Sequence, residues 1–143
     1  MNNKSYLTDE MKEIISEFSL FNDWTQRYEY IIDLGKKLIP LDEEYKTHEY
    51  KVLGCTSNVW LLAEMNDNRL KFSADSDSVI VKGLIAIILR IYSNQYAEII
   101  NKIDIRAFFK EVGLETHLSP SRSNGFFSVV NRIHELAGSS KLK

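Results

Sequence analysis

Cys55 is the only cysteine in this 143-residue chain, so its chemistry comes first. One cysteine cannot close an internal disulfide, and alone it cannot build a thiolate metal site. It follows Gly54 and lies between two predicted strands, which puts it on a turn. A thiol on a glycine-hinged turn can approach a partner's atom. Structural cysteines sit at core positions within an element. Type and placement alone leave two readings open, a reactive thiol and an incidental one. Arg122 is the second candidate. It falls in the first turn of the last predicted helix, where a cation opposes the helix dipole, so helix chemistry does not ask for it. It is either a solvated arginine or a guanidinium kept near an anion such as a thiolate or a partner's carboxylate.

Other common sites are absent. Lys82-Gly83 has the wrong order for a phosphate-binding loop and lies inside a helical pattern. His48, His117 and His134 are far apart, without zinc-like spacing, and read as surface or packing histidines. No cofactor or metal site is expected. A Cys–His hydrolase stays open on spacing, because such partners meet only in the fold, but the chain carries no local signature of one. The formal net charge of -2 argues against nucleic acid as the main partner, since phosphate binding needs a basic footprint. Apolar residues make up 44% and charged residues 27%, as in a soluble globular protein. The length suits one domain, 1–143, with flexible first residues and a flexible 139–143. The longest apolar run, Gly83 to Leu89, falls far short of the roughly 20 residues of a membrane span and reads as buried core. Met1 is followed by Asn2, Asn3 and Lys4 with no apolar run, so no secretory signal is expected. A lone cysteine then fits a reducing compartment, and the expected location is the cytoplasm, with no membrane contact.

These residues must be positioned by helices and a few strands. Met11, Ile14, Ile15 and Phe18 have helical spacing. A second helix is expected from an N-cap at Asn22, with Trp24, Tyr28, Ile31, Ile32 and Leu38 as its apolar face and Pro40 as its stop. Asp42 to Glu49 reads as a loop. Tyr50 and Val52 alternate with charged neighbours, and Val59 to Ala63 reads as a central strand. Asn66, Asp67 and Asn68 mark a turn before the alternating Leu70, Phe72 and Ala74. Asp75, Ser76 and Asp77 are expected to cap a deeply buried helix from Ser78 to about Tyr92. Shorter helices follow around Tyr96, Ile99 and Ile100, and around Ile105, Phe108, Phe109 and Val112, with Asp104 as a cap and Gly113 as a stop. The last helix opens at Ser119 with Pro120 in its first turn. The expected class is α+β, a small three-stranded antiparallel sheet packed against several helices.

Gly54-Cys55-Thr56-Ser57-Asn58-Val59-Trp60-Leu61 closely resembles the signature of the SufE family, sulfur acceptors that work with cysteine desulfurases in iron–sulfur cluster assembly. The resemblance extends through Asp75-Ser76-Asp77, Ile80 to Ala86, Asp104-Ile105-Arg106 and His117-Leu118-Ser119-Pro120-Ser121-Arg122-Ser123-Asn124-Gly125. Trp24, Tyr28, Tyr30, Ile31, Ile32 and Leu34-Gly35 fit the family's second helix. The motifs are co-linear over nearly the whole chain, far more specific together than any one alone. The chain departs from the family at Thr56 and Asn58, where glutamines are frequent, and at Tyr50, where asparagine is frequent.

The resemblance implies a SufE/IscU-like fold. It also implies that Cys55 accepts sulfur as a persulfide from a SufS-like cysteine desulfurase, whose own cofactor is pyridoxal phosphate. Cys55 would stimulate that enzyme and pass sulfur to a SufBCD-like scaffold. The chain itself would be a stoichiometric carrier rather than an enzyme, a monomer or weak homodimer. Gly54 would hinge the cysteine loop over a hydrophobic cavity, and Arg122 would steady the sulfur anion or anchor the partner. Ser57 and His117 match family positions, with packing or capping the better reading for His117. Val59 and Trp60 read as core. Alternatives are a paralogous carrier feeding another acceptor pathway and a regulatory desulfurase-binding protein in which Cys55 is incidental. A cluster scaffold would need several cysteine ligands.

Overall fold

A computed structural model describes residues 7–138. The expected flexible ends, the first few residues and 139–143, lie outside the described residues. Helix α1 spans Asp9–Ser19 and buries Met11, Ile14 and Phe18. Helix α2 spans Trp24–Lys36. Its N-cap is Asp23 rather than Asn22, because the Asp23 carboxylate accepts the Gln26 N–H at 2.9 Å. It stops before Leu38 and Pro40, and two 3-10 turns follow at Glu43–Tyr45 and His48–Tyr50.

Strands β1 (Val59–Asn66) and β2 (Arg69–Ser76) form an antiparallel hairpin in register from Val59↔Ser76 to Asn66↔Arg69. Asp67 and Asn68 both take positive φ, 53° and 67°, as a two-residue hairpin turn requires. Among the described residues the sheet has two strands, not three. Tyr50 ends a 3-10 turn, and only Lys51 bridges to Trp60, with the Val52 N–H donating to the Val59 carbonyl at 2.8 Å. Gly54, at φ 93°, then turns the chain away before a ladder can extend. Val59–Ala63 is therefore not a central strand. The outer edge of β2 is covered instead by the segment after the next helix. There the Leu70 N–H donates to the Gln95 carbonyl, and the Phe72 N–H donates to Ser93 Oγ.

Helix α3 (Val79–Tyr92) is capped by Ser78 alone, whose hydroxyl accepts the Val81 N–H, because β2 runs on through Ser76. Leu84, Ile85, Ile87, Ile88, Ile91 and Tyr92 are all buried. It crosses α2 at two glycines. A Cβ on Gly83 would lie 2.1 Å from the Ile31 carbonyl oxygen, and one on Gly35 would lie 2.6 Å from the Gly83 nitrogen. Helices α4 (Ala97–Lys102) and α5 (Ile105–Glu111) follow, the latter capped by Asp104. Gly113, at φ 84°, leads into a one-turn helix α6 (Leu114–His117) that periodicity does not reveal. Helix α7 (Pro120–Ala137) starts at the Ser119 cap and buries Phe126, Val129, Val130 and Ile133. The class is α+β. Among the described residues no helix is long and apolar enough to cross a membrane.

Asp75 ties these parts together from inside β2. It is 2% exposed. One carboxylate oxygen accepts the Leu41 N–H at 3.1 Å and the other accepts the Ser76 N–H at 2.8 Å. The Lys46 and Lys82 ammonium groups stand 3.4 and 3.6 Å away. Burial alone would raise its pKa, but the two backbone donors and the two lysines outweigh it and hold the group below the usual carboxylate range. A depressed folded-state pKa gives stability that is present above the unfolded value, near 4, and lost as pH falls through the folded one. Asp75→Asn would turn an amide against a backbone donor. It is expected to cost on the order of 2 kcal/mol at pH 7, read from urea unfolding, with the difference from wild type shrinking as pH falls from 4 toward 2.

Candidate functional site

The loop 53–58 leaves and rejoins the hairpin at a closed base, the Val52–Val59 hydrogen bond. Its far end is pinned where β2 meets α3. The Asn58 N–H and side-chain amide donate to the two Asp77 carboxylate oxygens at 3.1 and 2.8 Å, and Ser76 Oγ donates to the Asn58 carbonyl at 2.7 Å. Asp77, expected as a helix cap, is thus a clamp on this loop. Between these ends the chain lies along α7. Gly54 packs against Ser128, where a Cβ would fall 2.6 Å from Ser128 Oγ. The Cys55 thiol lies 3.7 Å from the Gly125 carbonyl, within reach of a weak S–H donor. Thr56 Oγ1 hydrogen-bonds Ser121 Oγ.

Cys55 is half-buried and lines a cavity of about 470 Å³. The cavity's apolar lining comes from Val81, Leu84, Ile85 and Ile88 of α3 and from Phe126 and Val129 of α7. Its polar lining includes Ser57, Arg122 and both helix caps, Ser78 and Ser119. The amino ends of α3 and α7 therefore meet at the site, each carrying the positive end of a helix dipole. Arg122 is exposed, its backbone N–H held by Ser119 Oγ at 3.3 Å. Among the described residues its guanidinium is in no salt bridge. Burial pushes the Cys55 thiol pKa up, so the thiol is held neutral in this arrangement.

Cys55, Gly54, Ser57 and Arg122 thus share one site, since Gly54 carries the turn and the other three line the cavity. His117 lies elsewhere. It stacks on Trp24 with centroids 4.1 Å apart, and its Nδ1 lies 2.9 Å from the Gly113 carbonyl. Its own carbonyl accepts the Tyr28 hydroxyl. Val59 is fully buried, while Trp60 is half-buried with Lys46 Nζ 5.6 Å from its ring centre. The residues missed by sequence reasoning are Ser121 and Ser128, the loop's seat on α7. Their spacing of seven, with Gly125 between them, places all three on one helix face and was the available signal. Among the described residues no group of three or more His, Cys, Asp or Glu could hold a metal ion.

The SufE family, described as an Fe-S metabolism associated domain, matches residues 12–137. A SufE-like protein of Rhizobium etli is 44% identical over 131 residues, 89% of this chain and 88% of that protein. Another, from Rhizobium meliloti, is 42% identical over 127 residues, 86% of this chain and 91% of that protein. Both bear names that call them uncharacterized. A solution structure of a hypothetical protein from Thermus thermophilus superposes with a TM-score of 0.76. It covers 92% of this chain and 96% of its own, at 14% identity, and so shares the fold.

The burial of Cys55 has a direct readout. The rate of alkylation by iodoacetamide, followed against pH, is expected to rise with a midpoint above that of a free cysteine, near 8.5. The same chain unfolded in urea is expected to return to the free value. A midpoint below it in the folded protein would contradict the upward shift.

Proposed function

Since this chain belongs to the SufE family and its domain is associated with Fe–S metabolism, we propose that it is a sulfur carrier that receives a persulfide on Cys55 from a cysteine desulfurase. The observation that carries the reading is the placement of its one cysteine. Cys55 follows a glycine turn and lines a cavity with apolar walls from α3 and α7 that Arg122 also lines. In the transfer, the Cys55 thiolate attacks the terminal sulfur of the desulfurase persulfide. The donor's S–S bond breaks, and the donor cysteine leaves as a thiolate. A new S–S bond forms on Cys55, and the proton lost by Cys55 matches the one the donor thiolate takes up. No oxidant or reductant is consumed, as in thiol–disulfide exchange. A second transfer of the same kind hands the sulfur to an iron–sulfur scaffold.

The thiol's neutrality suits a carrier between encounters, because the thiolate is the nucleophile. Movement of the loop toward the partner takes Cys55 out of its apolar surroundings and lowers the cost of ionisation. Arg122, with no carboxylate partner among the described residues, is free to meet the sulfur anion or a carboxylate of the desulfurase. Cleavage of the carbon–sulfur bond of free cysteine falls to the desulfurase and its pyridoxal phosphate. The chain acts stoichiometrically and in the cytoplasm, where thiols stay reduced.

Mass spectrometry after incubation with a cysteine desulfurase and cysteine is expected to show one added sulfur on the Cys55 peptide. Cys55→Ser is expected to abolish both that gain and stimulation of the desulfurase. Stimulation that survives in Cys55→Ser would make the protein a regulator instead. Arg122→Ala is expected to lower stimulation about tenfold, the scale of one charge-assisted hydrogen bond. If alkylation and stimulation are both unchanged in that variant, Arg122 has no part in the transfer.

A further inference from the structure

The cysteine loop rests on α7 at three successive points that differ in kind. Gly54 meets Ser128, Cys55 meets Gly125 and Thr56 meets Ser121. The helix positions step by three and four residues, so the loop follows one face of α7 toward its amino end. At Gly54 the contact is steric, and the backbone is already in a glycine conformation. At Cys55 it is a long sulfur contact of 3.7 Å, which holds little. Thr56–Ser121 is the one hydrogen bond between two hydroxyls along this run, and both residues are exposed to solvent. The remaining anchor, Asn58 on Asp77, lies beyond the cysteine and does not touch α7. Breaking the hydroxyl pair thus frees the stretch that carries Cys55 while the Val52–Val59 bond at the loop's base and Asn58 on Asp77 stay in place on either side.

We propose that the Thr56–Ser121 hydroxyl pair is a releasable latch that sets how readily Cys55 is presented. Both are positioning residues, since neither needs to touch the transferred sulfur. Water can replace each half of an exposed hydroxyl pair when it opens, so release is easy and reversible. The latch concerns the free protein. Its consequence for the desulfurase deepens the carrier reading and rests on it.

Alkylation of Cys55 in the free protein tests the latch without any desulfurase. Thr56→Val keeps the side-chain shape and removes the hydroxyl, and Ser121→Ala removes its partner. Each is expected to speed alkylation about two- to tenfold, the range given by the net worth of one hydrogen bond. The double variant is expected to be no faster than either single one, and Thr56→Ser is expected to restore the slow rate. Rates unchanged in both single variants would overturn the proposal. So would additive effects in the double variant, or a failure of Thr56→Ser to restore. With a desulfurase present, the single variants are expected to lower the carrier concentration needed for half-maximal stimulation and leave the maximal rate unchanged. If alkylation follows the latch and even the wild type stimulates no desulfurase, the latch stands and the carrier reading falls.

Discussion

At Gly35 and Gly83 the backbones of α2 and α3 meet with no side chain between them, and a Cβ on either would overlap main-chain atoms of the other helix. That approach allows α3 to lie among α1, α2, β2 and α7 and to bury apolar side chains on nearly every side. A helix so placed has to be apolar all round, which is why its sequence carries the longest apolar run of the chain. The site inherits its shape from this arrangement. Ile85 and Ile88 face the cavity because α3 is held against α2 on its opposite flank, and α7 closes the remaining side with Phe126 and Val129. Widening the crossing would displace the wall on which the cysteine loop depends.

The hairpin fixes the loop from the other direction. Asp75 and Asp77 lie two residues apart at the end of β2, and they serve different ends. Asp75, buried, holds Leu41 and two lysines from across the fold. Asp77, exposed, holds Asn58 and so limits the loop at its far end. Strand alternation would put both on one face, but Ser76 ends β2 and Asp77, beyond it, is exposed. The departure at Asn58 therefore has a definite partner, and so does the departure at Thr56, whose hydroxyl meets Ser121.

Much of the fold is legible in the sequence where local chemistry decides. Asp104, and Ser119 followed by Pro120, cap their helices as their types demand. Asp67 and Asn68 tolerate the positive φ of a hairpin turn. Legibility fails where a distant partner decides. Tyr50 and Val52 alternate like strand residues, yet Gly54 diverts the chain after one bridge. Asp75 and Asp77 look like helix caps, yet each is taken by a longer-range bond. Helix α6 is a single turn, too short for any period to show. For the site, Cys55 and its glycine turn are readable from residue types. The seat on α7 is not, because Ser121, Gly125 and Ser128 are small and carry meaning only once the loop lies against them.

The electrostatics around Cys55 pull in two directions, and that opposition suits the carrier role we propose. The apolar walls of α3 and α7 disfavour charge on the sulfur and keep the resting thiol neutral. The same cavity has Arg122 and the caps of two helices in its lining, all of which favour an anion that comes close enough. An added sulfur extends the side chain by one atom, so the charge of a persulfide sits farther from the backbone than that of a thiolate. Where along that length the balance turns depends on how far the loop stands from α7. If the latch releases the loop, access and charge follow one coordinate, the separation of Cys55 and Thr56 from the helix face beneath them.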